Sequence, residues 1–513
     1  MTLPLTNRNV VSILAAAALC LSVTTAVRAQ DAPAAGASAT APAVAPAGDT
    51  VPVTTSSDVA RRAYEMGMVQ REDRLFVDEG LQFFRQAVKA DPQFALGHAA
   101  LAYFALEPRE TKQEAALATK YLSNATPDEQ LLIHFLLGTK DGELVAAIAA
   151  MNDLSAKYPH DKRLANLYGE WLCSIQGGFE PGEAVLKRLL SYDPHYYPAM
   201  NNLAYCYALS GRPALTPPLM DQYVAALPNE PNPQDSYGEM ERMMGDYQAA
   251  LTHYRKALAI NPNFNPSQVG LASTYALMGE QDEARDQYLV AIKGTPERPT
   301  QMNYRILRAM TYYREDDTKR GRQEMLKLAA DAHAHELPLQ EAEIYRTMAI
   351  FNDDTAGAMR DLDSARAVFE DAHRVMPGDR DNEIAAILQT RALIAAAAGK
   401  SAEDALRPLA AMAKTSRSAA VQKAYHSANG AELFVKGDYA AAIPELQEDS
   451  LNPLTLRLLV RAQTKAGQTA DAQKSLATLA SISDERAETA FAVPEAKAAL
   501  KTTNTGALRA GAQ

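Results

Sequence analysis

The sequence predicts an all-α protein, an α-solenoid of stacked helical hairpins, and three observations carry that expectation. Between Asp193 and Pro296 the chain repeats itself every 34 residues: proline at Pro194, Pro228, Pro262 and Pro296, glycine at Gly211, Gly245 and Gly279, and a small residue at Ala204, Gly238 and Ala272, each after a large one (Leu203, Tyr237, Leu271). Elsewhere apolar residues recur at three- and four-residue intervals, which gathers them on one helical face. No run alternates apolar and polar residues as a half-buried strand would. A fixed period of this length means one helical hairpin per unit, unable to bury its apolar side alone and therefore stacked on its neighbours.

The cleanest units show why the spacing works. Second helices carry Ala250, Tyr254 and Ala257, then Ala284, Tyr288 and Ala291, so that small residues let paired helices approach while the tyrosine fills space against the following unit. Gly245 and Gly279 fall between helices, where a residue without Cβ can leave the helical region and turn. The prolines close each unit. The runs YGEMERMMGDYQAALTHYRKALAINPNF and LASTYALMGEQDEARDQYLVAIKGTP resemble the tetratricopeptide repeat signature. The unit before them matches only in its first helix, since Thr216, Met220 and Tyr223 stand in the later columns, and an irregular second helix is expected there.

From the N-terminus, residues 1–29 read as an export signal: Arg8 gives the positive start, Val10 to Val27 the mostly apolar stretch, and Val27-Arg28-Ala29 a small-residue cleavage site. Uncleaved, the same stretch would serve as a membrane anchor. Residues 30–58, rich in Ala and Pro, read as a disordered or extended tether. Residues 59–192 carry degenerate repeats, with LQFFRQAVKADP closing one unit, HAALAYFAL opening the next, and Leu137-Gly138 and Tyr168-Gly169 starting two more. The stretch from Asp141 to Tyr158 is short for a unit and predicts a trimmed hairpin. Residues 193–296 hold the well-matched repeats, and residues 297–483 further helices whose spacing drifts until Gly430, Gly437, Ala442 and Leu446, then Gly467, Ala472 and Leu476, return near the pattern. Residues 484–513 read as a charged capping helix followed by an unstructured tail from Thr502. At 34 residues per unit the folded part holds about twelve hairpins.

Composition narrows the function classes. The 513 residues carry a net charge of −11, and without Arg8 and Arg28 the chain is more acidic still, which argues against a nucleic-acid partner held by phosphate neutralisation. Of the three cysteines only Cys173 and Cys206 lie beyond the signal, near equivalent places in consecutive first helices. They read as two buried thiols behaving as small apolar residues, with a disulfide between repeats as the alternative in an oxidising compartment. No cofactor or metal is expected: P-loop, dinucleotide fingerprint, GxSxG elbow, HExxH and CxxCH are all missing. His333 and His335 stand two apart, so they diverge on a helix rather than converge on an ion. The cation- and tyrosine-rich stretch from Tyr304 to Arg322 reads as a helix surface laced with ion pairs.

The resemblance implies binding on the concave surface lined by first helices. Helical offsets put Asn201 and Tyr205, then Asp235, Glu239 and Arg242, then Ser273 on that groove, with Tyr205 as aromatic anchor and Arg242 as carboxylate partner for a peptide segment. The expected function is an exported scaffold, periplasmic or secreted, that mediates protein–protein interaction in the cell envelope and is not an enzyme. The alternative is a cell-surface protein binding a glycan or small ligand on the same frame.

Overall fold

The computed structural model describes residues 49–74, 77–176, 178–370 and 375–510; the expected signal and most of the tether lie outside the described residues. Within them, 25 α-helices follow one another as twelve hairpins and one remaining helix, with no strand. The first four hairpins are α1 (Asp58–Val69) with α2 (Val77–Ala90), α3 (Ala95–Phe104) with α4 (Pro108–Lys120), α5 (Pro127–Asp141) with α6 (Leu144–Lys157), and α7 (Lys162–Trp171) with α8 (Phe179–Tyr192). The next four are α9 (Tyr197–Leu209) with α10 (Pro217–Ala226), α11 (Pro231–Met244) with α12 (Tyr247–Ile260), α13 (Asn265–Met278) with α14 (Gln281–Gly294), and α15 (Arg298–Arg314) with α16 (Thr318–Ala334). The last four are α17 (Pro338–Ile350) with α18 (Thr355–Ala367), α19 (Pro377–Ala397) with α20 (Glu403–Thr415), α21 (Ala419–Val435) with α22 (Tyr439–Gln447), and α23 (Pro453–Lys465) with α24 (Thr469–Ser481); α25 (Ala487–Ala510) ends the chain. No helix among the described residues is long and apolar enough to cross a membrane.

Local chemistry sets the hairpins. Gly245 takes φ 83° and Gly279 φ 90°, the left-handed region, and the Gly245 N–H donates to the Arg242 carbonyl while the Asp246 N–H reaches back to Glu241. Tyr254 is fully buried between two glycines. A Cβ on Gly238, in its own hairpin, would lie 3.1 Å from the ring, and one on Gly270, in the next, 2.3 Å from it. Full burial of one such ring contributes about 1.5–3 kcal/mol, and it does so at the joint between repeats.

Departures from the 34-residue period have visible causes. A 3₁₀ turn at Pro213–Leu215 replaces the start of α10, which is only 10 residues long, as the poor match of that unit predicts. Helix α15 has 17 residues against 14 in α11 and α13, which moves the hairpin turn to Asp316 and breaks the glycine column. Asp316 itself takes φ 64°. Between Asp141 and Tyr158 no hairpin is trimmed: α5 with 15 residues and α6 with 14 form a full pair. The shortfall seen in the sequence arose from reading Asp141, the last residue of α5, as the start of a unit.

The two cysteines are not free thiols. Cys173 and Cys206 are joined by a disulfide, with their Cα atoms 5.1 Å apart. Cys173 lies in the π-helical turn that extends α7 and Cys206 in α9, so the bond ties the fourth hairpin to the fifth. Close packing allowed this: a Cβ on Gly182 of α8 would meet the Cys173 sulfur at 2.4 Å, so glycine there opens the space.

The array coils until it touches itself. Thr295, just before α15 in the eighth hairpin, donates through Oγ1 to Asp78 of α2 in the first at 2.8 Å, and Arg85 of α2 pairs with Glu297 at 2.8 Å. Asp379 of α19 in the tenth hairpin lies 3.6 Å from Lys140 of α5 in the third. Both contacts join units seven apart, so seven hairpins complete one superhelical turn. Gly378 permits the second contact, since a Cβ there would stand 2.7 Å from the Lys140 carbonyl oxygen. The odd-numbered helices pack on one another from hairpin to hairpin and form the inner layer of the array.

Candidate functional site

Five of the six residues expected on an open groove are buried. Asn201 is 3% exposed, Tyr205 2%, Asp235 0%, Arg242 4% and Ser273 1%, while Glu239 is half-buried. They do face inward from α9, α11 and α13, and helical offsets brought three of them, Tyr205, Glu239 and Arg242, together. Tyr205 donates to Glu239 Oε2 at 2.7 Å, Arg242 Nη2 lies 3.2 Å from Glu239 Oε1, and the Arg242 Nε–H points to the Tyr254 hydroxyl at 3.4 Å. Asp235 accepts from Ser267 at 2.6 Å and Ser273 pairs with Tyr288 at 2.9 Å, so these polar groups bind adjacent helices.

The interior is not open here because the chain's own C-terminus fills it. Glu485 Oε2 sits 2.5 Å from Arg242 Nη1, Ser483 donates to the Arg242 carbonyl at 2.8 Å and pairs with Tyr247 at 3.1 Å, and Arg314 reaches the Asp484 carbonyl at 3.3 Å. Then α25 runs along α15, α17 and α23, where Glu488 Oε1 meets Arg346 Nη1 at 2.5 Å with both side chains 2% exposed. Phe491 packs edge-on against Phe351. The segment after Ser483, expected to cap the end of the array, is therefore an inner plug, and its helix continues past Thr502 to Ala510. Sequence periodicity places residues on a helix face but cannot show that a segment 240 residues away covers that face.

The first four hairpins differ. Residues 50–57, the end of the stretch expected to be a tether, lie extended along their inner face. Each backbone N–H contact uses a carboxylate at or just before the start of an inner helix. Asp161 caps α7, accepting from the Leu164 N–H at 3.0 Å with Oδ1, and turns Oδ2 to the Val51 N–H at 2.9 Å. Glu129 closes the capping box of α5 with Oε2, 2.8 Å from the Thr126 N–H, and gives Oε1 to the Thr54 N–H at 2.5 Å. Asp91 holds the Gln93 N–H at 3.0 Å with Oδ1 and gathers the Ser56 N–H (3.0 Å) and the Thr55 hydroxyl (2.6 Å) on Oδ2. Burial pushes the Asp91 carboxyl up, but the hydrogen bonds from Thr55, Gln93 and Ser56 outweigh it and hold the group below the usual carboxylate range. Arg61 of α1 binds the Val53 carbonyl from the other side.

This strap runs against the repeat order, from the fourth hairpin to the first, and crosses a cavity of about 410 Å³. The walls are Tyr64 and Met68 of α1, Leu96 and Phe104 of α3, Leu132 and Leu136 of α5, and Leu164 and Leu167 of α7; Val51, Pro52 and Val53 form the roof. Charges at the mouth are matched. Arg163 pairs with Glu65 at 2.5 Å and Glu72 at 3.1 Å, and Lys162 with Asp193 at 2.7 Å. The carboxylates at 91, 129 and 161 were visible in the sequence as acids near repeat boundaries, but helix capping alone accounts for acids there.

Other candidates resolve as structure. Tyr304, Tyr312 and Tyr313 are buried, Arg322 pairs with Asp361 at 2.8 Å, and Arg285 and Arg320 both stack on the Tyr312 ring. His333 lies 3.2 Å from Glu341 and His335 3.1 Å from Asp331.

A tetratricopeptide repeat family model matches residues 238–264. The TPR repeat-containing protein YpiA of Bacillus subtilis (strain 168) is 27% identical over 179 residues, which are 34% of this chain and 42% of that relative, so the match spans less than half of the relative's length. Among solved structures, a chain of the APC/C hetero-tetramer Cut9-Hcn1 is 18% identical over 81% of this chain and 79% of its own, with a TM-score of 0.41. A tetratricopeptide repeat protein from Parabacteroides merdae ATCC 43184 is 12% identical over 55% of this chain and 99% of its own, with a TM-score of 0.34. The 34-residue columns, the hairpins stacked on them and the family match over α11 and α12 show that the chain carries tetratricopeptide repeats.

Proposed function

We propose that the protein is an exported scaffold that holds a segment of a protein partner in the cell envelope, on the inner face of its first four hairpins. The observation that carries this reading is the strap itself: residues 50–57 lie there as an extended peptide, bound through backbone N–H groups that any sequence presents. On the later hairpins the C-terminal segment covers the inner sides of α15, α17 and α23, and the cavity left beside Phe491 is smaller, about 280 Å³. Export is supported by the apolar N-terminal segment and by the Cys173–Cys206 disulfide, which persists in oxidising compartments.

The test is crosslinking in intact cells with a photoreactive residue at Glu65 or Lys162, at the mouth of the cavity, followed by mass spectrometry. Recovery of one partner at these positions and not at Leu326, exposed on the outer helix α16, is the expected result; equal recovery at both removes the reading. A second reading, a receptor for a small apolar ligand, draws on the cavity volume, which falls within the range of small-molecule sites. It expects a rise in melting temperature with ligand and no crosslinked protein. The Asp235/Glu239/Arg242 set is not a probe of binding, because alanine there strips buried polar contacts.

A further inference from the structure

The geometry points to residues 50–57 as a displaceable occupant of a peptide seat whose preferred ligand is an extended segment bearing a bulky, uncharged apolar side chain. This rests on the peptide-holding role proposed for the first four hairpins and names what that seat selects.

Three features of the seat lead there. First, its polar contacts at the first two positions read backbone only: Asp161 and Glu129 each divide their two oxygens between a helix N-terminus and one strap amide, while Asp91 holds the Gln93 N–H of the turn before α3 and, on its other oxygen, the Ser56 N–H with the Thr55 and Ser56 hydroxyls. The three N–H donors at 51, 54 and 56 span about 16 Å of extended chain, so the ladder fixes an extended conformation and a direction while leaving the side chains at 51 to 54 unspecified; only the hydroxyls at 55 and 56 are read. Second, the strap fills the seat poorly. Val51 and Val53 pack against the apolar cluster and border a cleft of about 410 Å³, whose apolar walls are each 9% exposed or less and whose mouth carries Glu65, Lys162 and Arg163. A cleft of this volume with apolar walls has room for a larger apolar side chain than valine. A phenyl ring or an unbranched apolar chain in place of either valine has that volume to occupy. Third, the charges at the mouth are paired among themselves through Arg163, Glu65, Glu72, Lys162 and Asp193, so nothing there favours a charged ligand group.

The strap is also tethered for exchange. It joins α1 at Ser57, whose hydroxyl caps that helix by accepting the Ala60 N–H. Replacement of residues 50–56 therefore leaves the helix cap intact. In cis the strap holds the seat at high effective concentration, and a partner displaces it only by gaining more from the cavity than two valines do.

The experiment uses the full chain with residues 50–56 replaced by a Gly/Ser segment of equal length, and labelled synthetic peptides read by fluorescence anisotropy. The native 49–57 peptide is expected to bind the replaced chain and not the intact one. Peptides with Val51→Phe or Val53→Phe are expected to bind at least tenfold tighter, and an Ala100→Phe protein, which fills the cavity, is expected to lose that gain while keeping the native peptide. If the native peptide binds but neither Phe peptide gains, the selection for a bulky side chain is overturned and the peptide seat stands. If the native peptide binds no better than a scrambled one, the seat falls with it. A rise in melting temperature with small apolar compounds but no peptide overturns both in favour of the small-ligand reading. Should the replaced chain fail to fold, Val51→Phe in the intact chain reads the same cavity: amide exchange at Thr54 slows about tenfold if the ring enters, and unchanged or faster exchange overturns the inference.

Discussion

The two halves of the inner face use the same repeat frame and hold opposite kinds of occupant. Along α1 to α7 the occupant is an extended strap held by backbone amides over a partly empty apolar cavity. From α11 to α23 it is a segment fixed by side chains: Glu485 on Arg242, Glu488 on Arg346 and Phe491 on Phe351. A backbone ladder accepts many sequences, whereas a buried ion pair accepts one. The first arrangement suits exchange and the second suits closure, so repeats of one family can serve as a seat in one place and as a core in another.

Breaking the closure gives the largest effect. Arg346 is 1% exposed and its guanidinium serves Glu343 at 3.0 Å, Glu488 at 2.5 Å and Thr390 at 3.2 Å. Arg346→Met leaves two carboxylates facing a neutral interior, at a cost of about 3–5 kcal/mol. Repeat arrays need not unfold as one unit. The only tryptophan, Trp171, lies in the fourth hairpin, so its fluorescence follows the N-terminal half while circular dichroism follows the whole. The expected result is an early dichroism transition with the Trp171 transition little moved. Coincident shifts in both signals would show that the halves do not melt separately.

Reduction attacks the junction between the halves. The disulfide closes 33 residues of chain, and its loss is expected to cost about 3 kcal/mol on loop-entropy grounds. Here the Trp171 transition moves most, being two residues from Cys173. A Cys173→Ala/Cys206→Ala chain of unchanged melting temperature would mean that packing alone holds the fourth hairpin to the fifth.

A smaller effect is expected within the well-matched repeats. Gly270→Ala places a methyl 2.3 Å from the Tyr254 ring. Overpacking of this kind costs about 1–3 kcal/mol and the better helix propensity of alanine returns up to about 1. A net loss of about 1–2 kcal/mol is expected, and Tyr254→Leu in the same chain should recover part of it, which a double-mutant cycle in denaturant measures.

These residues also mark how far the sequence could be read. The hairpins, their turns and the tyrosine between glycines follow from periodicity, because each depends on neighbours within one unit or the next. The inner-facing set Tyr205, Asp235, Glu239 and Arg242 was legible as a face for the same reason. Its exposure was not, since Glu485 arrives from beyond the array and no local pattern marks it. The strap was hidden differently: Thr50 to Ser57 has no helical period, and its order comes from Asp91, Glu129 and Asp161, acids that stand far apart in the sequence and that ordinary turn and capping chemistry would equally place there. The disulfide needed the three-dimensional distance between two first helices, which spacing near the repeat length allows but does not dictate.

The smallest effects sharpen the comparison most, because the two occupants should answer pH in opposite directions. Asp91, which holds Thr55 and Ser56, has a folded pKa below its unfolded value near 3.9, so its contribution is complete above that value and is lost as pH falls through the folded pKa. The strap is thus secure at neutral pH and loosens only in acid, and Asp91→Asn should cost its docking about 1 kcal/mol at pH 7. On the other side, burial drives Glu383 of α19 up to about 8, with Glu343, Asp379 and Glu488 adding to the rise and Arg346 opposing it. Glu343 is pushed to about 7 by burial but keeps 21% of its side-chain surface, so Glu383, at 2%, carries more of the effect. A raised carboxylate binds its proton more tightly in the folded state, so stability is greatest below the unfolded pKa near 4.3 and declines as pH rises towards 8, levelling beyond it. Amide exchange at Thr54 should therefore speed up below pH 4, while exchange in α25 should speed up between pH 5 and 8. Glu383→Gln should flatten the second profile and leave the first unchanged. If both profiles move together, one cooperative interior holds both occupants, and the division between seat and core does not exist.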